Sequence, residues 1–128
     1  MDDYSGYNEI TEKTSAIDVD FIGLASPTTK IADFSFTIYD SAKTERGSLF
    51  TIDPSTYANE YDLVHTIVQS DGTAAPSWVS FNVDSTGFDL IVESSDPSIA
   101  SYHYFKIYAT MTHKTRGDVH SEYDEIRI

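Results

Sequence analysis

The 128 residues fit one domain, and 40% hydrophobic with 13% aromatic content is enough for a single core. Acids outnumber bases 21 to 8, for a net charge of −13. That excludes non-specific binding to nucleic acid or to anionic membrane, whose phosphates repel such a surface. With no cysteine there is no disulfide, zinc–thiolate site, iron–sulfur cluster or cysteine nucleophile, and no apolar run reaches the ~20 residues of a membrane span.

In chain order the signal is β almost throughout. Residues 1–8 are polar without period. Residues 16–22 (A-I-D-V-D-F-I) alternate, with Ile17, Val19 and Phe21 on one face, and predict an edge strand. Ser26-Pro27-Thr28-Thr29 is a turn or short linker. Residues 33–39 (D-F-S-F-T-I-Y) give the cleanest alternation in the chain, Phe34, Phe36 and Ile38 against Ser35 and Thr37. Residues 41–47 are polar and read as a loop. A short strand over 48–52 is halted by Asp53-Pro54, and 55–61 has room for one helical turn.

Residues 63–69 are rich in β-branched side chains and read as a strand. Turns follow at Ser70-Asp71-Gly72-Thr73 and Asp84-Ser85-Thr86-Gly87, with a strand over 88–92 and a loop over 93–98. Residues 101–111 form a long strand with His103, Phe105, Ile107, Ala109 and Met111 facing the core. A turn at Gly117 leads to a closing strand over 119–128, where a bulge near Asp124 and Glu125 would reconcile the opposite parities of Tyr123 and Ile126. Strands at this spacing, with no sustained helical period, predict an antiparallel β-sandwich of seven to nine strands.

From residue 48 the order of features resembles the dystroglycan-type cadherin-like domain and related Ig-like modules of surface proteins. The resemblance rests on Phe50-Thr51-Ile52-Asp53-Pro54, on Tyr61-Asp62-Leu63, and on Ser70-Asp71-Gly72 followed by Pro76-Ser77-Trp78-Val79-Ser80-Phe81. Ser85-Thr86-Gly87 and Phe105-Lys106-Ile107-Tyr108-Ala109-Thr110 complete it. It covers about residues 33–128 and implies a cadherin-like domain over 31–128, with 1–30 as an amino-terminal extension or extra edge strand. Departures are Ser101-Tyr102-His103 where the family has Gly-Thr-Tyr, Ile91-Val92-Glu93-Ser94 where it has Ser-Gly-Thr-Pro, and a longer loop over 53–62 in place of Asp-Pro-Asp-Gly-Asp.

In the residues themselves, Pro76 fixes its backbone and blocks pairing, so Trp78 and Phe81 turn inward to meet Phe105 and Ile107 in the core. His65, His103, His113 and His120 have no metal-ligand spacing, and no nucleophile elbow, P-loop or dinucleotide fingerprint occurs. The reading is non-enzymatic: an adhesion or spacer module of a larger, extracellular or cell-surface protein. Its partners are neighbouring modules of the same chain or a surface protein or glycan, with no nucleic acid and no membrane insertion. Acids gather at turns, and the resemblance implies weak calcium stiffening, centred on Asp53, Glu60 and Asp62, with Asp96 and Asp118 in other loops; calcium takes about six to eight oxygen ligands in irregular geometry. The alternative is a carbohydrate-binding module, because Tyr102, Tyr104 and Tyr108 fall on the solvent face of the long strand.

Overall fold

The computed structural model describes residues 22–128, which form eight strands and two short 3-10 turns. The strands are β1 (Gly23–Ala25), β2 (Lys43–Gly47), β3 (Thr51–Asp53), β4 (Tyr61–Gln69), β5 (Val79–Val83), β6 (Phe88–Val92), β7 (Tyr104–His113) and β8 (Val119–Arg127). The 3-10 turns are Ser55–Glu60, as the sequence suggested, and Pro97–Ile99. All pairing is antiparallel. The order is β1-β3 in one sheet, β2-β6-β5 in a second and β4-β7-β8 in a third. The expected segments over residues 1–8 and 16–21 lie outside the described residues.

The fold is an all-β antiparallel sandwich. Val79, Phe88 and Leu90 of one three-stranded sheet meet Phe105, Ile107 and Ile126 of the other in a single buried cluster, joined by Ile31 from the connecting chain. The small β1-β3 sheet covers the far end of β4-β7-β8, packing Leu24 and Ile52 against Tyr61 and Met111. In β7 the alternation is strict: Phe105, Ile107, Ala109, Met111 and His113 are buried, and the side chains between them are not. Phe105 and Ile107 thus stand in the core. Trp78 and Phe81 pack against it half-buried, with Trp78 edge-on to Phe105 at 5.9 Å and to His103 at 4.9 Å.

Four expectations need correction. Residues 41–47 are not a loop, because Lys43–Gly47 pairs with β6 along its whole length. Its pattern escaped notice because β2 is an edge: Lys43 and Glu45 share the inward parity with Gly47 at the open flank of the sandwich, a device that also guards an edge against foreign strands. Residues 33–39 belong to no sheet. The Phe34 amide donates to Arg127 O at one end and the Tyr39 amide to Ser94 O at the other, so the segment crosses from one sheet to the other and pairs with neither. Its apolar side chains do turn inward, half-buried. It ends where Tyr39 takes a left-handed φ of 75°, which breaks an extended run. Finally, β7 and β8 pair in unbroken register from Tyr104↔Arg127 to Thr112↔Val119, so there is no bulge at Asp124 or Glu125. Ile126 faces the core and Tyr123 faces out, which is all their opposite parity means. The strand expected over 48–52 also shifts to Thr51–Asp53, with Phe50 buried just before it.

Candidate functional site

The outward face of β4-β7-β8 collects the tyrosines. Because β7 buries its odd-numbered side chains, Tyr104, Lys106 and Tyr108 point away from the core, and the unbroken register puts Tyr123 directly across from Tyr108. The two rings stand 5.2 Å apart, tilted by 47°. Tyr102, just before β7, is 70% exposed, Tyr104 50% and Tyr123 48%. Val64 of β4 and Val119 of β8 are exposed as well. The sequence reading put Tyr102, Tyr104 and Tyr108 on one face of the long strand; Tyr104 and Tyr108 stand on the outer face of β7, Tyr102 precedes it, and Tyr123, whose opposite parity to Ile126 was the available signal, was not among them.

Two cations complete the face. Lys106 is cross-strand from Glu125, yet its Nζ lies 4.6 Å from the centre of the Tyr123 ring, while Glu125 accepts from Ser70 Oγ at 2.9 Å. The Arg127 guanidinium lies 4.5 Å from the Tyr102 ring centre, and Asp33 accepts from the Arg127 backbone amide instead. Cations over aromatic faces at exposed sites contribute about 0.5–1 kcal/mol each. They lie over the Tyr102 and Tyr123 rings on the outer face of the sheet. This is a preorganised surface of phenol rings and N–H donors, suited to contact and without an enclosed reaction chamber.

The acids expected to bind calcium lie on three successive elements. Asp53 ends β3, Glu60 ends the first 3-10 turn and Asp62 lies in β4, all exposed. Glu60 is engaged instead by His113, whose Nε2 is 3.4 Å from its Oε1. Among the described residues no three His, Asp or Glu side chains gather as a metal set. Asp96 caps the second 3-10 turn by accepting from the Ser98 amide, and Asp118 pairs with Arg116 at 2.7 Å.

The histidines act as structural partners. The buried His65 accepts the Phe50 amide on Nε2 at 3.0 Å, and burial lowers its pKa. His113 Nδ1 accepts the amides of Thr115 and Arg116 and so caps the β7-β8 turn. His103, half-buried, places Nε2 2.7 Å from Ile99 O. The strongest polar cluster is Arg46 on Asp84. Nη1 donates to Oδ2 and Nη2 to Oδ1, both at 2.8 Å, while Asp84 Oδ1 also accepts the Thr86 and Gly87 amides of the β5-β6 turn. That grip holds the Asp84 carboxyl well below the usual carboxylate range. It clamps β2 across the hairpin, a pairing over 38 positions that no local pattern announces.

Comparison with protein families, with curated proteins and with solved structures found no match to this chain.

Proposed function

We propose that the chain is a non-enzymatic adhesion or spacer module of a larger surface protein, of the Ig-like, cadherin-like kind its sequence resembles. It works outside the cell and meets its partner through the outer face of β4-β7-β8. The observation that supports this reading is the patch of four tyrosines on one rigid sheet face, three of them about half exposed or more. Tyrosine offers large contact area at low entropic cost and is enriched where binding energy concentrates. The carbohydrate-binding alternative draws on the same patch, in particular the Tyr108–Tyr123 pair, whose tilted rings make a ledge on which a sugar face could stack.

The test is adhesion of beads coated with the module to cells and to a glycan array, comparing the native chain with Tyr104→Ala and Tyr123→Ala together. Loss of about tenfold or more in bound beads, at unchanged melting temperature, supports the reading. Array spots that lose signal in the same way assign a sugar as the partner. Adhesion that survives the double substitution unchanged would sink the assignment of this face.

A further inference from the structure

The outer face of β4-β7-β8 differs in charge from the rest of the chain. Its side chains are those at even positions of β4 and β7 and at odd positions of β8. They include two carboxylates, Asp62 and Glu125, and two cations, Lys106 and Arg127. The face is therefore neutral on a chain of net charge −13. Exposed apolar surface gathers there as well. Of the seven exposed large hydrophobic side chains among the described residues, Val64, Tyr104, Val119 and Tyr123 stand on this face and Tyr102 at its end. A patch of this kind marks a contact surface.

The charges and rings are set in pairs across the β7-β8 seam. Lys106 stands opposite Glu125, with Tyr108 opposite Tyr123 on one side and Tyr104 opposite Arg127 on the other. Lys106 nevertheless leans over the Tyr123 ring, and Glu125 accepts from Ser70. Each row thus holds opposite charges, two rings, or a ring and a cation.

We propose that, given the tyrosine face as the contact surface, its partner is a second copy of the chain, stacked sheet on sheet. Sheets packed this way keep their strands within about 30° of each other. A two-fold axis along the β7-β8 seam, midway between the copies, sets each β7 residue over the other copy's equivalent of its own cross-strand neighbour. Lys106 of each copy then meets Glu125 of the other, Tyr108 meets Tyr123, and Tyr104 meets Arg127. Symmetry makes every such contact twice, and no like charges meet within these rows.

Other partners fit less well. A basic protein is drawn to the acids on the remaining surface, and an acidic protein or glycan meets Asp62 and Glu125 beside the cations. The net charge of −13 opposes the approach of two copies, but at about 0.15 M salt exposed charges are screened beyond ~8 Å, and contacts within the stacked faces much less. Three strands of nine or ten residues give a face of roughly 30 Å by 15 Å. That outline is well under the ~800 Å² per partner of a stable complex, so the pairing is weak, with a dissociation constant of about 0.1–1 mM. Weak pairing serves a surface module, where many copies add their contacts.

The test uses the full chain at about 0.15 M salt, followed by sedimentation equilibrium and by NMR shifts up to about 1 mM. The native chain should approach a dimer over this range, with concentration-dependent shifts on the outer face of β4, β7 and β8. Lys106→Glu and Glu125→Lys each set like charges against one another and should weaken self-association by about tenfold or more. Mixed in equal amounts, the two variants regain both opposite-charge contacts and should pair at least as tightly as the native chain. That rescue also shows that both variants fold. The proposal is overturned by no self-association up to about 1 mM, by shifts that fall elsewhere than on this face, by single variants that associate like the native chain, or by a mixture no tighter than its components. After any of these, beads that still bind cells through Tyr104 and Tyr123 keep the face and assign it a different partner, whereas beads indifferent to those tyrosines remove the face itself.

Discussion

β2 and residues 33–39 lie a few positions apart, both at the flank of the sandwich, and are held in opposite ways. β2 is paired with β6 from Lys43↔Val92 to Gly47↔Phe88 and clamped from outside by Arg46 on Asp84, Thr86 and Asp89. Beneath it, Gly47 lies so close to the Phe88 ring that a Cβ there would stand 2.6 Å from Cε1. Among the described residues, 33–39 are tied to the two sheets by the Phe34 and Tyr39 amides alone, Thr37 O accepts the Asp40 amide in a local turn, and half-buried side chains with open cavities lie alongside. The contrast teaches that backbone pairing and a well-placed ion cluster fix an edge more firmly than apolar alternation does.

The largest test of the contrast is truncation. Phe88→Ala removes a buried ring that touches His65 and Phe81 and supports Gly47, and should cost about 3–5 kcal/mol in denaturant unfolding. Phe36→Ala, on the unpaired segment, should cost about 1 kcal/mol, as for a ring only half removed from water. Equal costs would erase the distinction. Next, Gly87→Ala drives a methyl onto Gly47 O, a backbone atom with nowhere to go, and against the Arg46 guanidinium. It should destabilise by about 1–3 kcal/mol, and β2 should lose amide protection before the rest of its sheet.

Acid should act on the paired region in two steps. The folded pKa of His65 is below its ordinary 6.5, so the unfolded chain takes up a proton there first and stability falls as pH drops below about 6.5. Since His65 must keep Nε2 unprotonated to accept the Phe50 amide, the stretch just after β2 loosens. The folded pKa of Asp84 is also depressed, from an ordinary 3.8. The stability it contributes is present above that value and lost as pH falls through it and beyond. Arg46→Gln should shrink the second step, leaving the part held by Thr86 and Gly87, and leave the first unchanged; a second step of undiminished size would remove Arg46 from the account. The smallest effect is at Tyr39. Glycine accepts a φ of 75° without the steric cost that tyrosine bears, so Tyr39→Gly should gain at most about 1 kcal/mol after the entropy of glycine is charged against it.

Much of the sandwich was legible because its elements are locally consistent. β6 stands where the alternation ended it, β7 shows its core face in every second residue, and Gly72 and Gly117 take the positive φ their turns require. The tyrosine face followed from the same parity. What was illegible depends on partners distant in the chain. Lys43-Thr44-Glu45-Arg46 has no apolar face to announce a strand, and only Asp84 and the β6 ladder make it one. Residues 33–39 have the face but lie between two sheets. The partners of the turn acids were equally out of reach of the sequence: Glu60 lies 3.4 Å from His113, and Asp118 accepts from Arg116.

Residue-resolved hydrogen exchange of the full chain at neutral pH tests the central contrast most directly. The account predicts protected amides within Lys43–Gly47 and exchange near the unfolded rate at Ser35, Phe36, Thr37 and Ile38, with Phe34 and Tyr39 slower than the four between them. Protection over 33–39 that equals or exceeds that of β2 would contradict it.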